Sequence, residues 1–144
     1  MSKLAIVGAS GLVGRNLLEQ LQKREFKIDE IFLLGKKSAG SSINFLDKDC
    51  IIEDIDEFDF NKPDYAILSA GSDVARDYAN KFIDSNCKVL DMSSYFRYED
   101  DVTLIIPEIN VNIISKKTNL VANPNCSTAL LRECMNHVMA AHLI

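Results

Sequence analysis

The sequence predicts an α/β domain: a doubly wound, mostly parallel sheet with helices on both faces. Short apolar runs alternate with stretches of helical periodicity, the pattern of strand–helix–strand units. A glycine-spaced turn, Gly8-Ala9-Ser10-Gly11-Leu12-Val13-Gly14, stands between the first apolar run and the first helical stretch. Near the other end, Asn123-Pro124-Asn125-Cys126-Ser127-Thr128 again joins an apolar run to a helical opening. At 144 residues and 47% hydrophobic content, the chain can build one packed core.

Lys3-Leu4-Ala5-Ile6-Val7 is the first strand. After the glycine turn, Arg15 to Leu21 is helical, with Leu17, Leu18 and Leu21 on one face. Strand, glycine turn and helix are the context of a dinucleotide fingerprint. The glycines turn the backbone tightly and let it approach a pyrophosphate seated on the helix N-terminus. The spacing is GxxGxxG rather than GxGxxG, and in this context it points to a Rossmann-like domain.

Glu30 to Leu34 is the second strand. An NAD site places Asp or Glu at the end of this strand for the ribose 2′-hydroxyl. Here the strand runs into Gly35-Lys36-Lys37-Ser38-Ala39-Gly40, two ammonium groups and a hydroxyl with no acid. That set suits the 2′-phosphate of NADP, which a carboxylate would repel.

Ile43 to Leu46 and Cys50 to Ile52 are short strands, expected as a hairpin over one sheet edge. Glu53 to Glu57 is expected as a solvated, charge-rich connection. Asp64 to Leu68 is a third core strand, ending in Ser69-Ala70-Gly71, whose small residues let a nucleotide pass close to the backbone. Asp73 to Ser85 is an amphipathic helix with Val74, Tyr78 and Phe82 on one face. Lys88 to Asp91 is the next strand and leads into Ser93-Ser94-Tyr95-Phe96-Arg97, a polar and aromatic loop with one arginine. Thr103 to Glu108 and Leu120 to Ala122 supply further strands.

Cys126 therefore falls at a strand-to-helix turn, beside free backbone N–H groups and the positive end of a helix dipole. That setting favours the thiolate, which is the nucleophile. Pro124 stiffens the approach, and Ser127 and Thr128 suit the N-cap or first turn.

The net charge of −5 argues against nucleic-acid or anionic-membrane partners. No apolar run approaches a membrane span, and Met1-Ser2-Lys3 leads straight into a strand with no signal peptide. The four cysteines lack disulfide-scaffold or CxxC spacing, so reduced thiols in a cytoplasm are expected. No cluster fits a metal: Cys134 and His137 share a helix face without further ligands.

In order along the chain, Gly8 to Gly14, Lys37 to Gly40, Ser69 to Gly71, Ser93 to Arg97, Pro107-Glu108-Ile109-Asn110 and Asn123 to Thr128 resemble the aspartate-semialdehyde dehydrogenases. The resemblance covers roughly residues 3 to 128, and its most specific part is the Asn-Pro-Asn-Cys-Ser-Thr run. It implies reductive dephosphorylation of aspartyl 4-phosphate by NADPH, on the route to lysine, methionine and threonine. It implies that Cys126 forms a thioacyl enzyme, that Arg97 holds the substrate phosphate and that Asn125 lies beside it. It implies that Gly8, Ser10, Gly11, Leu12, Val13, Lys37, Ser38 and Gly71 line the nucleotide. Two local departures stand out: Lys37 where the family commonly has arginine, and Met92 where it tends to have asparagine.

The larger departure lies after the cysteine. The family continues into a second domain with the catalytic histidine, further substrate groups and the dimer interface, whereas residues 131–144 do not resemble the family. The expectation is thus an NADP-binding domain over residues 1–128 and an atypical tail over 129–144, truncated and inactive alone. His137 and His142 would lie about 16 Å and about 24 Å from Cys126 along a continuous helix, too far to act as its base. A stripe of Leu130, Leu131, Cys134, Val138 and Ala141 is expected to fold back on the sheet or to pair with a second copy as a homodimer. Alternatives are a related acyl-phosphate reductase and a non-catalytic nucleotide-binding module. N-acetylglutamyl-phosphate reductase is the nearest of the former, but its motif is closer to Asn-Pro-Gly-Cys.

Overall fold

The structure, a computed structural model, describes residues 2–131 and residue 135. An eight-stranded sheet runs in the order β3-β4-β2-β1-β5-β6-β8-β7. At its centre, β1 (Lys3–Val7) pairs in parallel with β2 (Glu30–Gly35) on one side and β5 (Tyr65–Leu68) on the other. The order reverses across β1, and ligands of such sheets bind beyond the C-terminal strand ends at that switch point. Outside β2 lies β4 (Lys48–Asp54), with β3 (Ser42–Phe45) antiparallel on the edge. Outside β5 lie β6 (Lys88–Asp91), β8 (Leu120–Ala122) and β7 (Thr103–Leu104), all parallel. The predicted Rossmann-like, doubly wound sheet is what forms.

The strand alternation sorts the core into two faces. Leu4, Ile6 and Leu33 pack with Leu18 of helix α1 (Leu12–Lys23), and with Phe45 and Ile52. The intervening residues, Ala5, Val7, Phe32 and Leu34, pack with Ala75, Tyr78, Ala79 and Phe82 of helix α2 (Ser72–Asp84). Strands buried on both faces must be apolar at every position, which is why they are near-continuous Ala, Ile, Val and Leu.

The structure departs from the sequence expectations in three places. Glu53 and Asp54 belong to β4, paired with Leu34 and Gly35, and Ile55 beyond them is 2% exposed. The charge-rich stretch is therefore half core, and it feeds an aromatic cluster of Phe58, Phe60, Tyr78 and Phe82. The strand expected over Thr103 to Glu108 stops at Leu104, because Pro107 opens a short helix, α3 (Pro107–Asn110). Asn110 ties that helix back: its Oδ1 accepts the Ile106 N–H at 2.8 Å, and its Nδ2 donates to the Leu104 carbonyl at 2.9 Å. Finally, α1 begins at Leu12, so Gly14 lies inside it.

Candidate active site

The glycine turn is shaped by backbone contacts. Gly8 leaves β1 with φ +85°, a left-handed conformation, and its N–H donates to the Leu34 carbonyl at 2.8 Å. The Gly11 N–H then donates to the Gly8 carbonyl at 3.0 Å. Gly14 is needed for proximity: a Cβ there would sit 2.3 Å from the Gly8 carbonyl oxygen. Gly11 caps α1 without a side-chain hydrogen bond, leaving the first-turn N–H groups for an anion.

Leu12 and Val13 lie exposed beside those groups, and the Ser10 carbonyl is held by Arg15 Nε at 3.0 Å. On the neighbouring strand, the Ser69 N–H and hydroxyl both donate to the Val7 carbonyl, at 2.9 and 2.7 Å. Gly71 follows at the α2 N-cap, with open space where a Cβ would stand. The structure thus gathers Gly8, Ser10, Gly11, Leu12, Val13 and Gly71 at the C-terminal ends of β1 and β5.

Lys37 and Ser38 follow β2 at the same edge. Lys37 is exposed, and the Ser38 carbonyl accepts from Ser41 N–H and Oγ at 3.1 and 2.6 Å, closing the loop. Lys36, however, is engaged: its Nζ lies 2.7 Å from Asp56 Oδ2. The other oxygen of Asp56 accepts the hydroxyl of Tyr78, a buried residue of α2. The hydrogen bond and charge of Asp56 hold the Lys36 ammonium above its usual range. Lys36 and then Tyr78 hold the Asp56 carboxyl below its own. The sequence reading counts both ammonium groups toward the cofactor, whereas the structure engages that of Lys36 with an acid from outside the β2 loop. Asp56 lies beyond the β3–β4 hairpin, and only the Gly35–Asp54 pairing brings it alongside β2.

The other half of the site grows from β6. Asp91 is fully buried and accepts the Ser93 N–H at 2.9 Å and the Ser93 hydroxyl at 2.8 Å. Ser93 Oγ in turn accepts the Tyr95 N–H at 3.1 Å. These bonds turn the loop so that Arg97 Nε donates to the Asn123 carbonyl at 2.9 Å and Nη2 to the Met92 carbonyl at 3.1 Å. Met92 contributes its backbone there, so that hydrogen bond does not depend on which side chain stands at this position. The Asn123 N–H returns to the Asp91 carbonyl at 2.8 Å, joining the two loops. Nothing in the sequence pattern marked Asp91 and Ser93 as the support of Arg97.

Cys126 is exposed and is the first residue of a helix seen over 126–131. Asn125 caps that helix: its Oδ1 accepts the Ser127 N–H at 3.0 Å and its carbonyl the Ala129 N–H at 2.9 Å. Ser127 and Thr128 are thus first-turn residues. The Cys126 thiol lies 3.3 Å from the same Asn125 Oδ1 and donates to it. Arg97 is thus hydrogen-bonded to the backbone of Asn123, three residues before Cys126, beyond the C-terminal ends of β6 and β8. Leu130 and Leu131 are exposed, whereas Cys134, His137, Val138, Ala141 and His142 lie outside the described residues. Among the described residues no group of three or more His, Cys, Asp or Glu could hold a metal ion, and no helix is long and apolar enough to cross a membrane.

Residues 3–117 match the family described as semialdehyde dehydrogenase, NAD binding domain. The chain belongs to the semialdehyde dehydrogenase family. Among its relatives, the aspartate-semialdehyde dehydrogenase of Shewanella sp. (strain DB6705) is 42% identical over 128 residues, covering 87% of this chain and 38% of the relative. That of Legionella pneumophila is 43% identical, covering 87% and 37%. A crystal structure of aspartate semialdehyde dehydrogenase II from Vibrio cholerae, complexed with ASA, superposes with a TM-score of 0.87 at 38% identity, covering 91% of this chain and 44% of that one. The chain thus spans about two-fifths of the length of these curated relatives.

Proposed function

We propose that these residues form the NADP-binding and nucleophile-bearing domain of an aspartate-semialdehyde dehydrogenase, which converts aspartyl 4-phosphate to aspartate 4-semialdehyde and phosphate. The observation that carries the reading is Arg97, hydrogen-bonded to the backbone of the run that presents Cys126 at a helix opening. The names of the relatives, and the ASA in the Vibrio cholerae structure, supply the substrate class.

An acyl phosphate needs a soft nucleophile, a cation for the phosphate and donors for the oxyanion. Cys126 Sγ attacks the acyl carbon, the carbon–oxygen bond to phosphate breaks, and inorganic phosphate departs. Arg97 spends two donors on carbonyls and has the rest of its fork for that phosphate. Backbone N–H groups of the helix opened by Cys126 stabilise the charge on the acyl oxygen. The glycine turn, with its uncapped α1 N-terminus, fits a dinucleotide, which when bound supplies the hydride that reduces the thioacyl carbon. The carbon–sulfur bond then breaks, the aldehyde leaves and Cys126 is regenerated as thiolate.

Lys37 and Ser38 favour NADP over NAD. Calorimetry on the 144-residue chain should show tighter binding of NADP than of NAD, and Lys37→Glu should invert the order. Equal or tighter NAD binding by the unaltered chain refutes the preference. The chain alone should show no turnover of aspartate semialdehyde with NADP and phosphate, because a continuous helix from Cys126 would put His137 about 16 Å and His142 about 24 Å away, beyond hydrogen-bonding reach. General acid–base help contributes about 10²–10⁴-fold, and substrate positioning more. Turnover by the purified chain that Cys126→Ala abolishes overturns this. In this reading the NADP-binding domain spans residues 1–128, and sedimentation would show whether the exposed Leu130 and Leu131 pair two copies. The three described cysteines are all free, which fits a cytoplasmic enzyme.

A further inference from the structure

We propose that Asp56 is a specificity-determining residue of the nucleotide site: a carboxylate set where the adenosine ribose 2′ position would lie, moderating the preference for NADP. The inference rests on the dinucleotide reading above. Gly35, the last residue of β2, pairs with Asp54, the last of β4, and the Ile55 N–H donates to the Gly35 carbonyl at 3.3 Å. This lays the segment after β4 against the segment after β2. The end of β2 is where a nucleotide site carries the acid that binds a ribose 2′-hydroxyl. The chain has no acid in the β2 loop itself, and the fold delivers one from β4 instead.

Asp56 is held from behind. The hydroxyl of Tyr78 donates to one carboxylate oxygen, and Tyr78 is 6% exposed and stacked on Phe60. Lys36 occupies the other oxygen at 2.7 Å, with its side chain 66% exposed. An exposed pair of this kind is weak and can exchange partners. A 2′-phosphate would draw Lys36 away and leave the Asp56 carboxylate facing a second anion. A 2′-hydroxyl would instead donate to that carboxylate and leave the pair intact. Lys37 therefore favours NADP while Asp56 opposes it, and Lys36 is shared between the two.

The test is calorimetry of NADP and NAD binding to the 144-residue chain. Asp56→Asn keeps an oxygen for Tyr78, removes the charge and frees Lys36, so the ratio of NADP to NAD affinity should rise about tenfold. Lys36→Met leaves Asp56 bare, so the ratio should fall. If Lys37→Glu inverts the preference while both of these variants leave the ratio unchanged, the dinucleotide reading stands and Asp56 has no part in selectivity. Equal losses for both nucleotides in Asp56→Asn would make the residue structural only and overturn the proposal. If the unaltered chain binds neither nucleotide, the dinucleotide reading itself fails.

Discussion

Replacing Gly14 with alanine sets two effects of opposite sign against each other. Alanine is a better helix former, and in a helix interior the exchange gains about 1 kcal/mol. Against that, the new Cβ would lie 2.3 Å from the Gly8 carbonyl oxygen, 2.7 Å from Ala9 Cα and 3.0 Å from the Ala9 carbonyl carbon. All three are backbone atoms of the turn and cannot swing aside. Reaching ordinary contact requires α1 to lift by about 1 Å, which also loosens the buried Leu18. Overpacking of this kind costs about 1–3 kcal/mol, and rigid backbone neighbours put the cost at the upper end. The net expectation is a loss of about 1–2 kcal/mol, or a few degrees in Tm. NADP affinity should fall further, because the first-turn N–H groups move with the helix. Urea denaturation followed by circular dichroism gives the first quantity and calorimetry the second. Gln20→Ala, on the exposed face of the same helix, should stay within about 0.5 kcal/mol of the parent. A Gly14→Ala chain as stable as the parent, with unchanged NADP affinity, refutes the close approach of helix and turn.

Two thiols supply further tests. Cys126 should react with iodoacetamide before Cys50 and Cys87, because it is exposed at a helix opening while Cys50 is half-buried and Cys87 buried; mass spectrometry that finds either of the others modified first removes the basis for the nucleophile. Burial pushes the Cys87 thiol up to about 12, above an unfolded thiol near 8.5. The folded state keeps its proton longer, so this contribution to stability is fully present below about pH 8.5 and declines as pH rises toward 12, by at most about 1.4 kcal/mol per pH unit. Cys87→Ala should flatten that alkaline decline in urea melts, and an unchanged slope would show that Cys87 does not cause it.

Much of the domain is written in short windows of sequence. The strands Lys3–Val7, Tyr65–Leu68 and Lys88–Asp91 are apolar runs, and α1 and α2 carry helical periodicity, so their type follows from local pattern. The glycine turn and the cysteine turn are equally legible, because backbone freedom at Gly8 and a helix opening at Cys126 depend on the residues at and next to those positions. Other features exist only once strands are in register. The sequence around Lys36 shows no acid, yet the Gly35–Asp54 pairing brings Asp56 onto its ammonium. The loop after β6 shows an arginine without a partner, yet the pairing of β6 with β8 places the Met92 and Asn123 carbonyls where Arg97 reaches both. The hydrophobic pattern says which face of a strand is buried, but which strands become neighbours is decided by the packing of the whole sheet. The residue types of the glycine turn and the cysteine turn were therefore set locally, and the partners that hold Lys36 and Arg97 in place were set by the topology.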